Sequence, residues 1–299
     1  MRYTDWFEVI DERFRALILP NVHVDHLFGE GRWLEGPVYV PAAKHLLFSD
    51  IPNNRVLRLN ECDGSVSNFA SPSSFSNGQT LDPQGRVIRC EHLERRVVRI
   101  EHDGRVTVIA QAFQGKRLNS PNDVVADSRG RVWFTDPTYG ISTEYEGARL
   151  PSETGTKNVY RVDPDGSVHA VVTDLHQPNG LALSLDETIL YVVDSGTVPA
   201  RLMAYDLSAD LTAENARLLR ACDVGMYDGF RLDRHGNIWT SAGDGVHCLA
   251  PDGTLLGKIL IPETVANLCF GGPAGNRLYI TATRGLYAVY LNTTSPRQS

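Results

Sequence analysis

The sequence of 299 residues predicts an all-β fold, a six-bladed β-propeller built of four-stranded antiparallel blades. Three observations support this prediction. Short runs rich in Val, Ile, Leu, Trp and Tyr alternate with Asp/Gly turns, the same phrase returns every ~40–55 residues, and no convincing helical periodicity follows residue 20. Short antiparallel strands that repeat at this period are typical of propeller blades.

The turns of the repeats share one pattern, in which an Asp opens the turn and a Gly closes it. One set of turns follows the first strand of a phrase, at 82–87 (DPQGRV), 127–132 (DSRGRV) and 233–238 (DRHGNI). A second set ends the third strand, at 99–106 (RIEHDGRV), 161–168 (RVDPDGSV) and 248–255 (CLAPDGTL). Glycine supplies the positive φ that tight hairpin turns require, so each pair of turns marks one blade.

The two ends of the chain are predicted to close the ring together. The last phrase, 267–292, holds only three strands, whereas NVHVDHLF at 21–28 is a lone strand before the first phrase. We expect this lone strand to pair with the last blade as its outer strand, which removes open sheet edges. The sequence of residues 4–18 predicts a helix packed outside the ring. The chain 1–299 is expected to be one propeller domain with a helical extension over 1–20.

Aligning the six phrases on their first strand places a side-chain oxygen at the opening of every inner strand. These residues are Glu35, Asn77, Asn122, Asn179, Asp228 and Asn267. A single Asn at such a position is most simply explained as a strand cap after a tight turn. Six oxygen-bearing residues in register favour instead a ring of side chains with a shared function. Because the first strand of each blade lines the central channel, the six oxygens are expected to converge at one mouth.

Two carboxylates and four amides offer hard oxygen ligands and no thiolate or imidazole. This donor set favours one divalent cation, with Ca²⁺ as the first choice and Mg²⁺ or Mn²⁺ as alternatives. Tetrahedral zinc is disfavoured as the native ion, although Zn²⁺ stays an alternative in vitro.

A second, weaker candidate ring lies at the ends of the second strands. It comprises Asp50, Glu91, Asp136 and Asp194, with His92 beside it. Acids at strand ends are common turn formers, so a structural role and substrate contact carry about equal weight. The His92 imidazole at a channel mouth could transfer protons near neutral pH, whereas a hydrogen-bonded structural histidine is the more frequent case.

The long polar segment 137–158 interrupts blade three between its second and third strands. It carries Tyr139 and Tyr145, and connections of this length inside a compact domain are usually functional. A lid over the channel mouth and a tolerated surface insertion are both consistent with it.

Composition excludes several classes of function. The net charge is −7 (29 basic against 36 acidic residues) with no Lys/Arg block, which disfavours nucleic-acid and anionic-membrane partners. No apolar stretch is long enough to span a membrane, and the N-terminus lacks the features of a signal peptide. Five scattered cysteines without a CxxC motif fit buried free thiols in a cytoplasmic protein. The sequence contains no GxSxG, HExxH or Walker A motif, which disfavours a serine hydrolase, a zinc protease and a nucleotide-binding enzyme. The oligomeric state, monomer or dimer, stays open.

Several motifs carry a resemblance to a known family. In this order and spacing, EGPVY, SNG, RLNSPNDVV, WFTDPTYG, PNGLALS with YVVDS, and YDG resemble the senescence-marker-protein/gluconolactonase family (regucalcin-like), nearest to its bacterial gluconolactonase-type members. The resemblance covers about residues 30–290. It implies a six-bladed propeller with a catalytic divalent metal on its axis, and hydrolysis of a lactone ring. The implied metal ligands are Glu35, Asn179 and Asp228, with Asn122 close to the metal or the substrate.

One position departs from the family pattern. Animal members carry an Arg two positions before the counterpart of Asn122, in contact with sugar hydroxyls, and this chain has Ser120 there. The identity of the lactone therefore stays open.

The first functional hypothesis is a metal-dependent sugar lactonase acting on an aldonolactone such as glucono-1,5-lactone. Asp228 is the expected general base, Asn122 and Asn77 are expected to bind substrate, and His92 or Tyr139 would assist at the leaving oxygen. Two alternatives remain: a phosphotriesterase or aryl esterase on the same metal site, and a non-catalytic calcium-binding propeller.

Overall fold

The computed structural model describes residues 5–296 and confirms the six-bladed propeller. Two N-terminal strands precede the blades, β1 (Phe7–Val9) and β2 (Asp25–Phe28). Blade one contains β3 (Leu34–Val40), β4 (His45–Asp50), β5 (Arg55–Asn60) and β6 (Val66–Ala70). Blade two contains β7 (Ser76–Leu81), β8 (Val87–Glu91), β9 (Arg96–Ile100) and β10 (Val106–Ala110).

A small hairpin separates blades two and three, β11 (Ala112–Phe113) with β12 (Lys116–Arg117). Blade three contains β13 (Val124–Ala126), β14 (Val132–Thr135), β15 (Val159–Val162) and β16 (Val168–Val172). Blade four contains β17 (Pro178–Leu183), β18 (Ile189–Asp194), β19 (Arg201–Leu207) and β20 (Ala213–Ala221). Blade five contains β21 (Phe230–Leu232), β22 (Ile238–Ala242), β23 (Gly245–Leu249) and β24 (Leu255–Leu260). The last three strands are β25 (Val265–Gly271), β26 (Arg277–Ala282) and β27 (Leu286–Tyr290).

The ring closes as the sequence predicts. Strand β2 pairs antiparallel with β27 and supplies the fourth strand of the last blade, so that an N-terminal strand completes a blade made otherwise of C-terminal residues. An isolated bridge between Ile18 and Leu291 adds to this closure. The pairing protects the outer edge of β27, which would otherwise present unpaired backbone groups.

The predicted N-terminal helix over 4–18 is wrong in type and extent. The segment forms strand β1, which pairs with β24 as a fifth strand of blade five, followed by a 3₁₀ helix over Glu12–Ala16 capped by Asp11. The open edge of β24 selects extended structure here, and tertiary pairing overrides the weak helical spacing of the sequence. Residues 1–4 of the predicted extension lie outside the described residues.

Helices make a small contribution to the part of the chain that the structure describes. The one α-helix in it, α1 (Tyr139–Ser142), is a single turn, and two further 3₁₀ turns span Pro41–Ala43 and Ile51–Asn53. Within residues 5–296 no helix has the length and apolar character that crossing a membrane requires. The expectation of buried free thiols holds for four cysteines but is wrong for Cys62, which is exposed.

The predicted hairpin turns are present with the backbone conformation expected of them. Gly85, Gly130 and Gly236 have φ of +78°, +78° and +77°. The Asp that opens each of these turns accepts backbone hydrogen bonds within it; Asp82, for example, accepts from the amides of Gln84 and Arg86 at 3.0 and 2.9 Å. The hydrogen bonds of the Asp side chain and the positive φ of the Gly therefore stabilise the same turn.

Phe14, in the N-terminal 3₁₀ helix, fastens the extension to blade five. Its ring is fully buried, lies 5.9 Å from the Trp239 ring, and covers Gly257, where an added Cβ would fall 2.3 Å from the Phe14 ring. We expect Phe14→Ala to lower the free energy of unfolding by about 3–5 kcal/mol, because it leaves a cavity that the surrounding strands cannot fill. Reversible denaturant titration measures this loss.

Phe69→Ala is the matched control for Phe14→Ala, because the Phe69 side chain is 41% exposed. Its expected cost is about 0.5 kcal/mol. Equal losses in the two variants would contradict the assignment of Phe14 to the core.

Candidate active site

The six aligned oxygen-bearing residues lie at one end of the central channel. Four are in inner strands and two, Asn122 and Asp228, lie two residues before the starts of β13 and β21. The amide of Asn267 donates to the Glu35 carboxylate at 3.0 Å across 232 positions of sequence, which joins the last blade to the first at the axis. Five of the six are 2–5% exposed, and Asp228 is half-buried. Asp228 is therefore the most accessible member of the ring.

The glycine that follows a ring residue brings neighbouring inner strands into close approach. An added Cβ would lie 2.0 Å from the Asn77 carbonyl oxygen at Gly36, 2.5 Å from the Asn122 oxygen at Gly78 and 2.2 Å from the Asp228 oxygen at Gly180. At Gly229 an added Cβ would lie 2.1 Å from the side-chain amide of Asn267. Of these four glycines only Gly36 has a positive φ, so the dipeptides Glu-Gly, Asn-Gly and Asp-Gly reflect packing at the axis and not turn formation.

Blades three and six break this pattern, with Asp123 and Leu268 in place of the glycine. The Asp123 carboxylate accepts from Arg231 of β21 at 3.2 and 3.4 Å. Blades three and five are not neighbours in the ring, so this buried ion pair spans the channel below the ring residues. Sequence reasoning missed Arg231, although a charged residue inside an inner strand is the signal that identifies it.

Glu35 and Asp228 are neighbouring acids of the ring, and neither forms an ion pair with a described residue. Burial, with a smaller contribution from the charges of Asp123 and Glu146, raises the pKa of Glu35 to about 7 in spite of hydrogen bonds from Gly36 and Asn267. Burial also raises the pKa of Asp228 well above its ordinary value, and the neighbouring Glu35 charge adds to that shift. Each carboxylate disfavours ionisation of the other, so a cation bound between them would relieve their repulsion and be held strongly.

The nearby amides complete a set of oxygen donors. Asn179 donates through Nδ2 to Ser195 Oγ at 3.2 Å, which leaves its Oδ1 available to a cation. The Asn122 side chain makes no hydrogen bond to a described residue. Over residues 5–296 no three His, Cys, Asp or Glu side chains come close enough to hold a metal by themselves. A cation at this mouth would need amide oxygens besides the two carboxylates.

The first part of segment 137–158 is fastened to the mouth. The Ser120 hydroxyl donates to the Pro137 oxygen at 2.8 Å and accepts from the Gly140 amide at 3.1 Å. Gly140 in turn lies against His92, where an added Cβ would fall 2.5 Å from the imidazole. The Tyr139 hydroxyl is hydrogen-bonded to Ser195 Oγ at 2.7 Å.

The second part of the segment is fastened as well. Glu153 pairs with Arg95 at 3.2 Å and accepts from the Arg117 amide at 2.9 Å, and Asn119 donates to the Thr156 oxygen at 2.7 Å. The segment is thus a wall of the mouth held at both ends by side-chain contacts. Tyr145, one of the two tyrosines singled out in this segment from the sequence, is 50% exposed and points away from the core.

His92 is fully buried, and both of its ring nitrogens face protein atoms. Nδ1 lies 3.0 Å from the Glu146 carbonyl oxygen and Nε2 lies 3.4 Å from Asn77 Nδ2. Burial lowers the pKa of His92 to about 4, so the neutral ring donates from Nδ1 to the carbonyl. This geometry gives His92 a role in holding the wall; proton transfer by His92 stays a prediction.

Three acids of the predicted second ring, Asp50, Asp136 and Asp194, accept hydrogen bonds from backbone amides, whereas Glu91 pairs with the Arg89 and Arg96 side chains. Asp194 accepts from the Gln177 amide at 3.0 Å, two residues before Asn179, and Asp136 accepts from the Ser120 amide at 2.9 Å, two residues before Asn122. Burial raises the pKa of Asp136 to about 7. These contacts position the start of the inner strands, which is the structural role that turn-forming acids commonly have.

Glu146 is a third carboxylate at the mouth, and sequence reasoning missed it. It is half-buried, its carboxylate has no hydrogen bond or ion pair with a described residue, and burial raises its pKa. Its charge also raises the pKa of Glu35, Asp228 and Tyr139. Because the wall segment has no counterpart in the other blades, the repeat alignment could not reveal this residue.

A cavity of about 350 Å³ opens at the other end of the channel. Its lining residues lie further along the inner strands than the ring residues, for example Val38, Leu81, Ala182 and Phe270. The Asp123–Arg231 pair lies between this cavity and the ring. The cavity is therefore separate from the acid pair.

Comparisons with known proteins agree on one family. A sequence profile described as SMP-30/Gluconolactonase/LRE-like region matches residues 33–284. The gluconolactonase of Zymomonas mobilis is 32% identical, over 94% of this chain and 85% of that protein. The pentonolactonase XacC of Haloferax volcanii is 29% identical, over 84% of this chain and 81% of that protein. The solved structure of a gluconolactonase from Xanthomonas campestris superposes with a TM-score of 0.91 at 35% identity, over 96% of this chain and 95% of that one.

Proposed function

The chain belongs to the SMP-30/gluconolactonase/LRE-like family, and from this premise we propose that it hydrolyses a sugar lactone to the hydroxy acid. An aldonolactone such as glucono-1,5-lactone is the proposed substrate. The observation that carries the proposal is the neighbouring acids Glu35, which is buried, and Asp228, which is half-buried, among amide oxygens and without an ion pair to a described residue. Relatives named gluconolactonase and pentonolactonase support the same substrate class.

The donor set fits a divalent cation, with Glu35, Asn122, Asn179 and Asp228 as the proposed ligands. The two acids supply a double negative charge, and Asn122 and Asn179 each have a carbonyl oxygen free of other described partners. Oxygen-only donors favour Ca²⁺, with Mg²⁺ and Mn²⁺ as the alternatives. When bound, such a cation polarises a carbonyl oxygen and lowers the pKa of a water molecule.

Asp228 is proposed as the general base because it is the most accessible acid of the ring. Its carboxylate takes a proton from water, the water oxygen attacks the lactone carbonyl carbon, and the ring C–O bond breaks with the proton delivered to the leaving oxygen. Burial raises the pKa of Tyr139 to about 12, so its hydroxyl keeps its proton at neutral pH and can donate to substrate. The Asn122 amide is proposed to orient the lactone, with Asn77 beside it.

The test is hydrolysis of glucono-1,5-lactone by pH-stat, with the spontaneous rate subtracted. Chelator-stripped protein is compared with protein restored with Ca²⁺, Mg²⁺, Mn²⁺ or Zn²⁺. We expect turnover that depends on added cation and is highest with one of the first three. A folded, cation-loaded protein without a rate above background would refute the sugar lactonase, and a phosphotriester and an aryl ester in the same assay distinguish the alternative hydrolases.

A further inference from the structure

We propose that Glu146 selects the charge of the substrate: its carboxylate accepts hydrogen bonds from hydroxyl groups of a neutral lactone and repels lactones that carry a carboxylate or phosphate group. The inference rests on the proposed lactonase function and assigns a specificity-determining role to a residue of the wall segment 137–158.

The first argument is the fixed position of the Glu146 backbone. Its carbonyl oxygen accepts from His92 Nδ1 at 3.0 Å, and the other nitrogen of that ring lies 3.4 Å from Asn77 Nδ2. One imidazole thus separates Glu146 from the ring of oxygen donors. The next residue, Gly147, lies against Gly140, where an added Cβ would fall 2.1 Å from the Gly140 oxygen. The side chain of Glu146 is therefore presented from a backbone that has little freedom to move.

The second argument is the distance of the carboxylate from the acid pair. Glu146 is near enough for its charge to act on Glu35, Asp228 and Tyr139. It is not near enough for Glu35, Asp228 and Glu146 to form a group that could hold a metal ion, in the part of the chain that the structure describes. This intermediate position suits contact with a substrate beside the cation and not with the cation itself.

The third argument is that the Glu146 carboxylate has no hydrogen bond or ion pair with a described residue. A half-buried acceptor without a donor is costly unless a ligand supplies one, and sugar hydroxyls are donors of the right kind. Arg231, a cation of the channel, is paired with Asp123. A divalent cation would balance Glu35 and Asp228 and leave the charge of Glu146 uncompensated, which favours a neutral polyhydroxylated lactone over an anionic one.

The experiment compares D-glucono-1,5-lactone with its 6-phosphate as substrates of the Ca²⁺-loaded full chain. For Glu146→Gln we expect kcat/KM on the neutral lactone to fall about 10-fold, chiefly through KM, because a hydrogen bond to a charged acceptor is lost. The preference for neutral over phosphorylated lactone should fall by a further ~10-fold. Glu146→Lys should reverse the preference, whereas Glu146→Asp should keep it with a raised KM.

Glu144→Gln is the matched control, because Glu144 lies on the same segment, is exposed, and accepts from the Arg149 amide at 3.0 Å. It should leave the preference unchanged. If the wild type hydrolyses the neutral lactone but Glu146→Gln and Glu146→Lys both keep its substrate preference, the role of Glu146 is refuted and the lactonase stands. If the wild type hydrolyses neither lactone, the lactonase and the inference fall together. Thermal unfolding of each variant confirms that it is folded.

Discussion

Replacing Asp228 with asparagine is expected to lower kcat/KM for lactone hydrolysis by about 10³-fold, with most of the loss in kcat. Asparagine has nearly the same shape, but it cannot accept a proton from water. The Asp228 backbone amide donates to Ser241 Oγ at 2.8 Å and its carbonyl oxygen covers Gly180, so the fold around the position does not depend on the carboxylate. The variant should therefore stay folded, with a cooperative unfolding transition, while its activity is lost.

The control for this prediction is Asp223→Asn, because the Asp223 side chain is 49% exposed and pairs with Arg220 away from the ring. It should keep the wild-type rate. Asp228 is proposed both as base and as cation ligand, and a calcium titration separates the two roles. If excess Ca²⁺ restores the rate of Asp228→Asn, the carboxylate acts as a ligand only; a variant with near wild-type rate at ordinary Ca²⁺ would contradict both roles.

The blades could be predicted from the sequence because their signals are local and repeated. The Asp/Gly turns fix where strands end, and six phrases in register give the number of blades and the members of the oxygen ring. The error at the N-terminus has the opposite cause. Strand β1 exists because the edge of β24 is available to it, and no pattern inside residues 4–18 contains that information.

The chemistry of the candidate site was only partly predictable. The ring residues were found by alignment, but the function of Gly78 and Gly180 lies in contacts with a neighbouring blade. Glu146 belongs to a segment that occurs once, so it had no repeat against which to be compared. His92 was singled out for its residue type, and its complete burial depends on how Gly140 packs over it.

Removing divalent cations is expected to make the folded chain progressively less stable as the pH rises above about 5, and added Ca²⁺ is expected to reverse this loss. In the folded state the pKa of Glu35 is raised from 4.5 to about 7, and the pKa of Asp228 is raised as well. The folded protein therefore holds protons that the unfolded chain releases. The stabilisation that these bound protons give the folded state is fully present below the ordinary pKa values of the two acids. It is lost as the pH rises through their pKa values in the folded state.

A cation that binds only the folded state adds stability by mass action, about 2.7 kcal/mol at 100 times its dissociation constant. Protons compete for the same carboxylates, so the rise in unfolding temperature on adding Ca²⁺ should be larger at pH 8 than at pH 5. Scanning calorimetry of chelator-stripped protein with and without Ca²⁺ at the two pH values measures this difference.

Glu35→Gln isolates the contribution of the acid pair from all other titrating groups. Glutamine keeps an oxygen that can accept from the Gly36 amide, which lies 2.7 Å from the Glu35 carboxylate, but it carries no charge. The stripped variant should be more stable than the stripped wild type at pH 8, because the repulsion between Glu35 and Asp228 is gone. It should also lose most of the stabilisation by Ca²⁺. The same substitution therefore stabilises the stripped protein and weakens the cation-loaded one, an opposition that a purely structural role of Glu35 does not produce.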